Sequence, residues 1–389
     1  MTFIPYSRPV LEEEEIQEVV ETLRSGWLTT GPKVAQFEKD FSTFVGSEYA
    51  LAVNSATAGL HLALEALGVG YGDKVITTVH TFTATAEVIR YLGAEPVFVD
   101  IEPDSYNISP SLVEKALLEH TDVKVIIPVH YAGQSANMTE LMSLAKRFDV
   151  KVLEDAAHAL PCTHKGQLIG TIADVTVFSF YANKTITTGE GGMVTTNDEA
   201  LAKRIKTMRL HGINRDVFDR FTSNKPNWHY EIVAPGYKYN MMDMCGALGI
   251  HQLKKAKRFQ QARASIAERY NAAFVDLPII TPYQVEDSDL HSWHIYSIQL
   301  ELDKLSISRN EFIEKMSEYG VGTSVHYIPL HRMPYWKEAY GLKDENFPIS
   351  SKVSDQHLSL PNFASMSVEE VERVIDVVTR LVVETQIHV

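Results

Sequence analysis

Val150-Lys151-Val152-Leu153-Glu154-Asp155-Ala156-Ala157-His158-Ala159 and, one segment later, Val175-Thr176-Val177-Phe178-Ser179-Phe180-Tyr181-Ala182-Asn183-Lys184 are the stretches from which the fold of this chain is read. Each opens on a short run rich in β-branched and apolar residues with no clean polar alternation, the pattern of a strand buried on both faces. Each then breaks into polar residues. In an open α/β sheet, ligands bind beyond the carboxyl ends of the strands, so the polar residues at these breaks are the first candidates for chemistry. Glu154 and Asp155 follow a buried run directly; two adjacent carboxylates there are costly to desolvate, so at least one should meet a cation. Lys184 stands at the end of the next expected strand, ahead of the turn Thr185 to Gly192. Taken singly, Asp155 reads equally well as a helix cap and Lys184 as a solvated surface group; their joint placement is what counts.

Working outward, the same alternation recurs. Further strands are expected at 50–53, 74–77, 96–99, 123–129 and 193–195, beside those at 150–153 and 175–180. Helical periodicity lies between them at 60–67, 83–92, 110–118 and 139–148, where Leu141, Leu144, Ala145 and Phe148 fall on one face. This is the signature of a doubly wound α/β layer. After Asn240 the pattern changes to a long Lys/Gln/Arg/Ala-rich helix at about 248–274, an alternating segment at 295–302 and an amphipathic helix at 367–383. The expected division is a large unit, 1–250, and a smaller C-terminal α+β unit, 251–389, with no Pro/Gly-rich linker between them.

Composition narrows the class. The 389 residues carry a net charge of −14 with 22% charged and 45% hydrophobic side chains, ordinary for a folded globular chain and contrary to a basic nucleic-acid-binding face. Apolar runs such as Val125 to Val129 fall far short of the roughly 20 residues that span a bilayer. The opening Met1 to Pro9 has no basic n-region and apolar core, so a cytoplasmic protein is expected, without a membrane partner. Cys162 and Cys245 are too few for a disulfide framework or a cysteine metal site; both read as core thiols, and no metal is expected.

Three more clusters stand after expected strands. Asn54-Ser55-Ala56-Thr57-Ala58-Gly59 brings small residues to a helix start, which reads as an anion cradle or as ordinary capping. In His80-Thr81-Phe82-Thr83 the aromatic ring could cover a planar ligand or lie in the core, and Val129-His130-Tyr131-Ala132-Gly133 reads as a satisfied turn. A lysine amine, a carboxylate, an anion cradle and an apolar wall are together what pyridoxal 5′-phosphate (PLP) requires. Mononucleotide alternatives fail, since the chain has no Walker-type lysine loop and Gly189-Glu190-Gly191-Gly192 does not follow the G-x-G-x-x-G spacing.

At these residues the chain resembles the DegT/DnrJ/EryC1/StrS sugar aminotransferases, PLP enzymes of fold type I. The likeness runs in order through the segments 25–32, 93–100, 154–159, 189–193, 236–241, 247–253 and 325–331, nearly the whole chain. It implies an aspartate aminotransferase-like fold with a large mixed-sheet domain. It also implies Lys184 as the Schiff-base lysine, Asp155 as partner of the pyridine nitrogen, and Thr57, the Ala58 amide and Ser179 as phosphate ligands. Phe82 and His158 would lie against the cofactor. The segment 236–240 would reach across a homodimer interface, with Lys238 where many members carry Asn. Trp27, Thr29, Thr30 and His326 would line the sugar-nucleotide cleft. Within the family the chain is most similar to enzymes that aminate C4 of UDP-linked 4-keto sugars, such as the 4-amino-4-deoxy-L-arabinose type, with L-glutamate as donor and a product destined for lipopolysaccharide or other surface glycans. Amination at C3, or of an unlinked sugar or cyclitol, is the alternative. A PLP sugar dehydratase is disfavoured by Lys184 itself, and a non-catalytic cofactor-binding regulator would be expected to carry an attached DNA-binding or transmembrane segment, for which the catalytic fold leaves no room in 389 residues.

Overall fold

The computed structural model describes residues 2–214, 230–283 and 289–387. Seven short apolar runs become one sheet: β1 (Tyr49–Val53), β2 (Lys74–Thr78), β3 (Glu95–Val99), β4 (Val123–Ile126), β5 (Lys151–Asp155), β8 (Val175–Ser179) and β9 (Gly192–Thr196), with β6 (Thr163–His164) and β7 (Gln167–Leu168) forming a hairpin between β5 and β8. The order is β1-β9-β8-β5-β4-β2-β3. Six strands point the same way and β9 runs against both of its neighbours. The runs lack polar alternation because both faces are covered. Leu51, Val53, Leu153, Val175, Val177 and Val194 pack under the helices Ala56–Ala66, Ala84–Tyr91 and Glu199–Met208. On the other face, Ala52, Phe178 and Met193 meet the helices Pro32–Val45 and Asp243–Phe274, while Ile126 and Val152 meet Pro110–Glu119 and Met138–Phe148.

The strand expected over 123–129 ends at Ile126. Ile127 still donates to the Ile76 carbonyl at 2.8 Å, but Pro128 has no N–H to continue the ladder; beyond it the pairing is irregular, the Pro128 carbonyl accepting the Asp155 amide at 2.9 Å and Val129 bridging to Asp155.

A three-stranded antiparallel sheet, β10 (Ile279–Ile280), β11 (Tyr296–Leu300) and β12 (His357–Leu360), forms the second unit. Its core is closed by the helices Arg309–Glu318 and Val368–Thr385 and by Ile4 from the other end of the chain. Residue 250 lies inside the continuous 32-residue helix Asp243–Phe274. That helix serves both units: Ile250, Leu253, Ala256 and Phe259 join the large core, and Ile266, Ala267, Tyr270 and Phe274 the small one. Packing therefore changes between Phe259 and Ile266, with no linker at all. The acidic run at 12–15 opens the helix Glu13–Ser25 and clasps Lys255 of the long helix, whose Nζ lies 2.8, 3.1 and 2.7 Å from carboxylate oxygens of Glu12, Glu14 and Glu15.

Candidate active site

β5 and β8 lie side by side and parallel, with Asp155 opposite Val177, so their carboxyl ends open onto one cleft of about 490 Å³, in the size range of small-molecule sites. Strand alternation sends the two adjacent acids to opposite faces. Glu154 is fully buried, its Oε1 3.3 Å from His130 Nε2, and its other oxygen accepts from the Thr176 hydroxyl. Asp155 faces the cleft. Its Oδ2 accepts from Thr85 Oγ1 at 2.8 Å and its Oδ1 from the Ala157 amide at 3.1 Å, and the Thr81 hydroxyl lies 2.8 Å behind Thr85. Burial pushes the Asp155 carboxyl upward; these hydrogen bonds and the Lys184 ammonium pull the other way.

Lys184 lines the same cleft, on the turn after β8 where its amide donates to the Tyr181 carbonyl at 3.0 Å. The side chain is half-buried and borders the open cleft. Desolvation brings its ammonium down to about 8 against the opposing pull of Asp155, so an appreciable share of neutral amine exists near neutral pH.

The helix Ala56–Ala66 starts at the cleft wall. Ser55 caps it, and the first-turn amides have no intrahelical acceptor. Two glycines set how close this start comes to the sheet: a Cβ on Gly59 would stand 2.8 Å from Val177 Cγ1, and one on Gly192 would stand 2.8 Å from the Ala56 nitrogen. Thr57 and Ser179 consequently share the cleft. Ala58 departs from its expected place: its amide donates to Ser55 Oγ at 3.1 Å, and the residue lies outside the cleft lining.

Phe82 is 58% exposed and lines the cleft, so it is no core residue. His158 is buried; burial and the Lys184 charge hold its imidazole neutral, far below its usual range. Its Nδ1 accepts from the Ala132 amide at 3.3 Å and its Nε2 lies 2.9 Å from Tyr327 Oη. His326 lines the cleft too, with Nδ1 2.9 Å from Ser359 Oγ. Trp27, Thr29, Thr30 and Lys238 do not line this cleft. They belong to a neighbouring surface patch, where Thr30 donates to the Met241 carbonyl at 2.6 Å, Asn240 donates to Thr30 Oγ1 at 2.7 Å, the Trp27 indole N–H donates to the Thr30 carbonyl at 3.1 Å, and Asn54 donates to the Lys238 carbonyl at 3.4 Å.

Sequence reasoning missed Tyr181, Asn183, Glu190, His294 and Tyr327 in the lining. For Tyr327 a signal existed, since it sits inside the 325–331 segment; His294 lies two residues before β11 with nothing local to mark it. Asn183 Oδ1 and His294 Nδ1 are buried with no protein partner, as expected of groups that meet a polar ligand.

The family model for the DegT/DnrJ/EryC1/StrS aminotransferase family matches residues 9–379. The chain belongs to this family. The spore coat polysaccharide biosynthesis protein SpsC of Bacillus subtilis is 48% identical over 382 residues, 98% of this chain and 97% of that protein. A UDP-4-amino-4-deoxy-L-arabinose–oxoglutarate aminotransferase of Shewanella sediminis is 38% identical over 98% of both chains. Spr1654 of Streptococcus pneumoniae, described as a sugar aminotransferase and solved in PLP and pyridoxamine phosphate forms, superposes in the latter form with a TM-score of 0.91 at 35% identity, over 98% of this chain and 99% of that one. This aminotransferase is therefore a PLP-dependent transaminase of fold type I. The residues present fit the cofactor: a half-buried lysine amine whose titration is lowered by desolvation, a hydrogen-bonded carboxylate, a helix start beside two hydroxyls and an aromatic wall converge on one cleft of suitable size. Among the described residues, no group of three or more His, Cys, Asp or Glu could hold a metal ion, and no helix is long and apolar enough to cross a membrane.

Proposed function

We propose that this aminotransferase moves the amino group of L-glutamate to C4 of a UDP-linked 4-keto sugar, in the cytoplasm, for a surface polysaccharide. The observation that carries the reading is the convergence of Lys184, Asp155, Thr57 and Ser179 on one cleft in a chain 38% identical to an enzyme named for a UDP-4-amino sugar. The polysaccharide role of SpsC supports the destination of the product. Bound PLP supplies an electron sink for the amino-bearing carbon. Lys184 would hold the cofactor through its amine and, as the neutral amine, would move the proton from that carbon. An amine titrating near 8 is well matched to that task. Asp155, held by Thr85 and the Ala157 amide, would face the ring nitrogen and offer it a carboxylate. Thr57 and Ser179 hold the phosphate at the helix start, while Phe82 and His158 exclude water from the ring.

Support for a homodimer comes from the exposed apolar side chains of Leu28, Tyr181 and Met242 around the patch that carries Trp27, Thr29, Thr30 and Lys238; a second copy covering this patch would bring those residues to the site.

The test is the visible spectrum of the purified protein with PLP, before and after L-glutamate, followed by a panel of nucleotide-linked 3-keto and 4-keto sugars. A visible band that glutamate bleaches and a UDP-4-keto sugar restores is the expected result. A band indifferent to glutamate removes the donor, and restoration only by a 3-keto or an unlinked sugar removes the C4 assignment.

A further inference from the structure

The cofactor cleft has a neighbour. A second cleft of about 530 Å³ is walled by Ile328, Met333, Tyr335 and Trp336 and shares Thr81, Phe82 and Tyr327 with the first. The rings of Phe82 and Tyr327 stand 6.1 Å apart, centre to centre, where the two spaces meet. A ligand that fills both must pass these two rings.

Hydrogen-bond accounting identifies what the phenol offers such a ligand. The Ala132 amide donates to His158 Nδ1 at 3.3 Å, which leaves the proton of a neutral imidazole on Nε2. That Nε2 lies 2.9 Å from Tyr327 Oη, so the histidine donates and the phenol oxygen accepts. The phenol's own proton then has no acceptor among the described residues. His326, one residue earlier, is differently placed: its Nδ1 is engaged by Ser359 and its carbonyl by the Tyr131 hydroxyl at 2.6 Å.

We propose that Tyr327, oriented by His158, donates a hydrogen bond to a hydroxyl or keto oxygen of the sugar substrate at the threshold between the two clefts. The inference rests on the sugar reading above and gives Tyr327 a specificity role, with His158 as its positioning residue. Burial keeps the phenol protonated far above its ordinary range, which preserves the donor across the working pH.

Tyr327→Phe removes only the hydroxyl. With the two half-reactions followed separately by absorbance, the glutamate half should stay within about twofold of the wild type, while the sugar half should slow by about 10- to 100-fold, the usual consequence of losing one hydrogen bond in a buried site. Calorimetry with the amino-sugar nucleotide, which needs no turnover, should show a matching loss of affinity. Tyr327→Leu, which also removes the ring at the threshold, should weaken the sugar half at least as much. Equal losses in both halves would reassign Tyr327 to the cofactor, and unchanged sugar kinetics and affinity would overturn the contact. Absence of any keto-sugar turnover by the wild type would instead overturn the substrate reading, and the Tyr327 assignment with it.

Discussion

The amine of Lys184 sits under two opposing influences, and the balance can be measured. Burial disfavours the ammonium and Asp155 favours it, leaving the group near 8, below its ordinary 10.5. Capture of PLP needs the neutral amine, so the rate at which cofactor-free protein takes up PLP should climb as pH rises through about 8 and level off above it. A rate independent of pH between about 6 and 9 would contradict the depressed amine. The same depression is a stability statement. The folded protein holds this proton less tightly than the unfolded chain, so the destabilisation is fully present below about 8 and fades as pH rises from there towards 10.5. Lys184→Met should therefore abolish the visible band and yet stabilise the cofactor-free protein at neutral pH by on the order of 1–3 kcal/mol, seen in thermal or urea unfolding. Asp155→Ala should still bind the cofactor but lose roughly 10²- to 10⁴-fold in turnover; undiminished turnover would remove Asp155 from the mechanism.

At the scale of elements, the cleft is held by contacts between segments far apart in the chain. Asp243, the first residue of the long helix, caps the helix Pro32–Val45 rather than its own: its carboxylate accepts the amides of Gly31, Lys33 and Val34 at 2.8, 3.1 and 3.0 Å. Asp243→Ala leaves three amides without this acceptor and should cost about 1–3 kcal/mol of unfolding free energy; a loss below a few tenths would show the cap to be replaceable. Gly59→Ala drives a methyl to 2.8 Å from Val177 Cγ1, and should lower stability by about 1–3 kcal/mol and weaken PLP binding by lifting the helix start away from Ser179. This helix start also shows what sequence could convey. The apolar runs and the helix start after β1 were legible because both record local periodicity and burial, and Asp155 and Lys184 because each terminates a run. That the Ala58 amide turns to Ser55 Oγ is a matter of cap geometry that residue types do not encode. The Asp243 cap joins residues some 210 positions apart, and the run at 12–15 reads as bare charge until Lys255 is seen between its carboxylates. Tyr327 and His294 enter the cleft from the second unit, so only the folded arrangement of the two units brings them to Asp155 and Lys184.

For the whole molecule, the remaining question is where Trp27, Thr29, Thr30 and Lys238 act, because a single chain does not bring them to its own cleft. They are tied together through Thr30, Asn240 and Met241, and Met241 packs close to Gly191, which lines the cleft. Leu28, Tyr181 and Met242 are 47%, 49% and 48% exposed around this patch. A two-fold dimer formed here would repeat the same contact on both copies and would set the patch of one chain beside the cleft of the other. Subunit complementation tests this directly. Lys184→Ala should be inactive, and Lys238→Ala should retain cofactor while losing turnover if its ammonium serves the partner's site. Mixed and re-equilibrated in equal amounts, half the dimers would pair the two variants, and one of the two sites in each such dimer would be intact, so about a quarter of wild-type turnover should return. Recovery at that level requires a site built from two chains. Turnover that stays at the mean of the two separate variants would place Lys238 in its own chain's chemistry or outside the chemistry altogether, and a strictly monomeric protein in light scattering would remove the shared site.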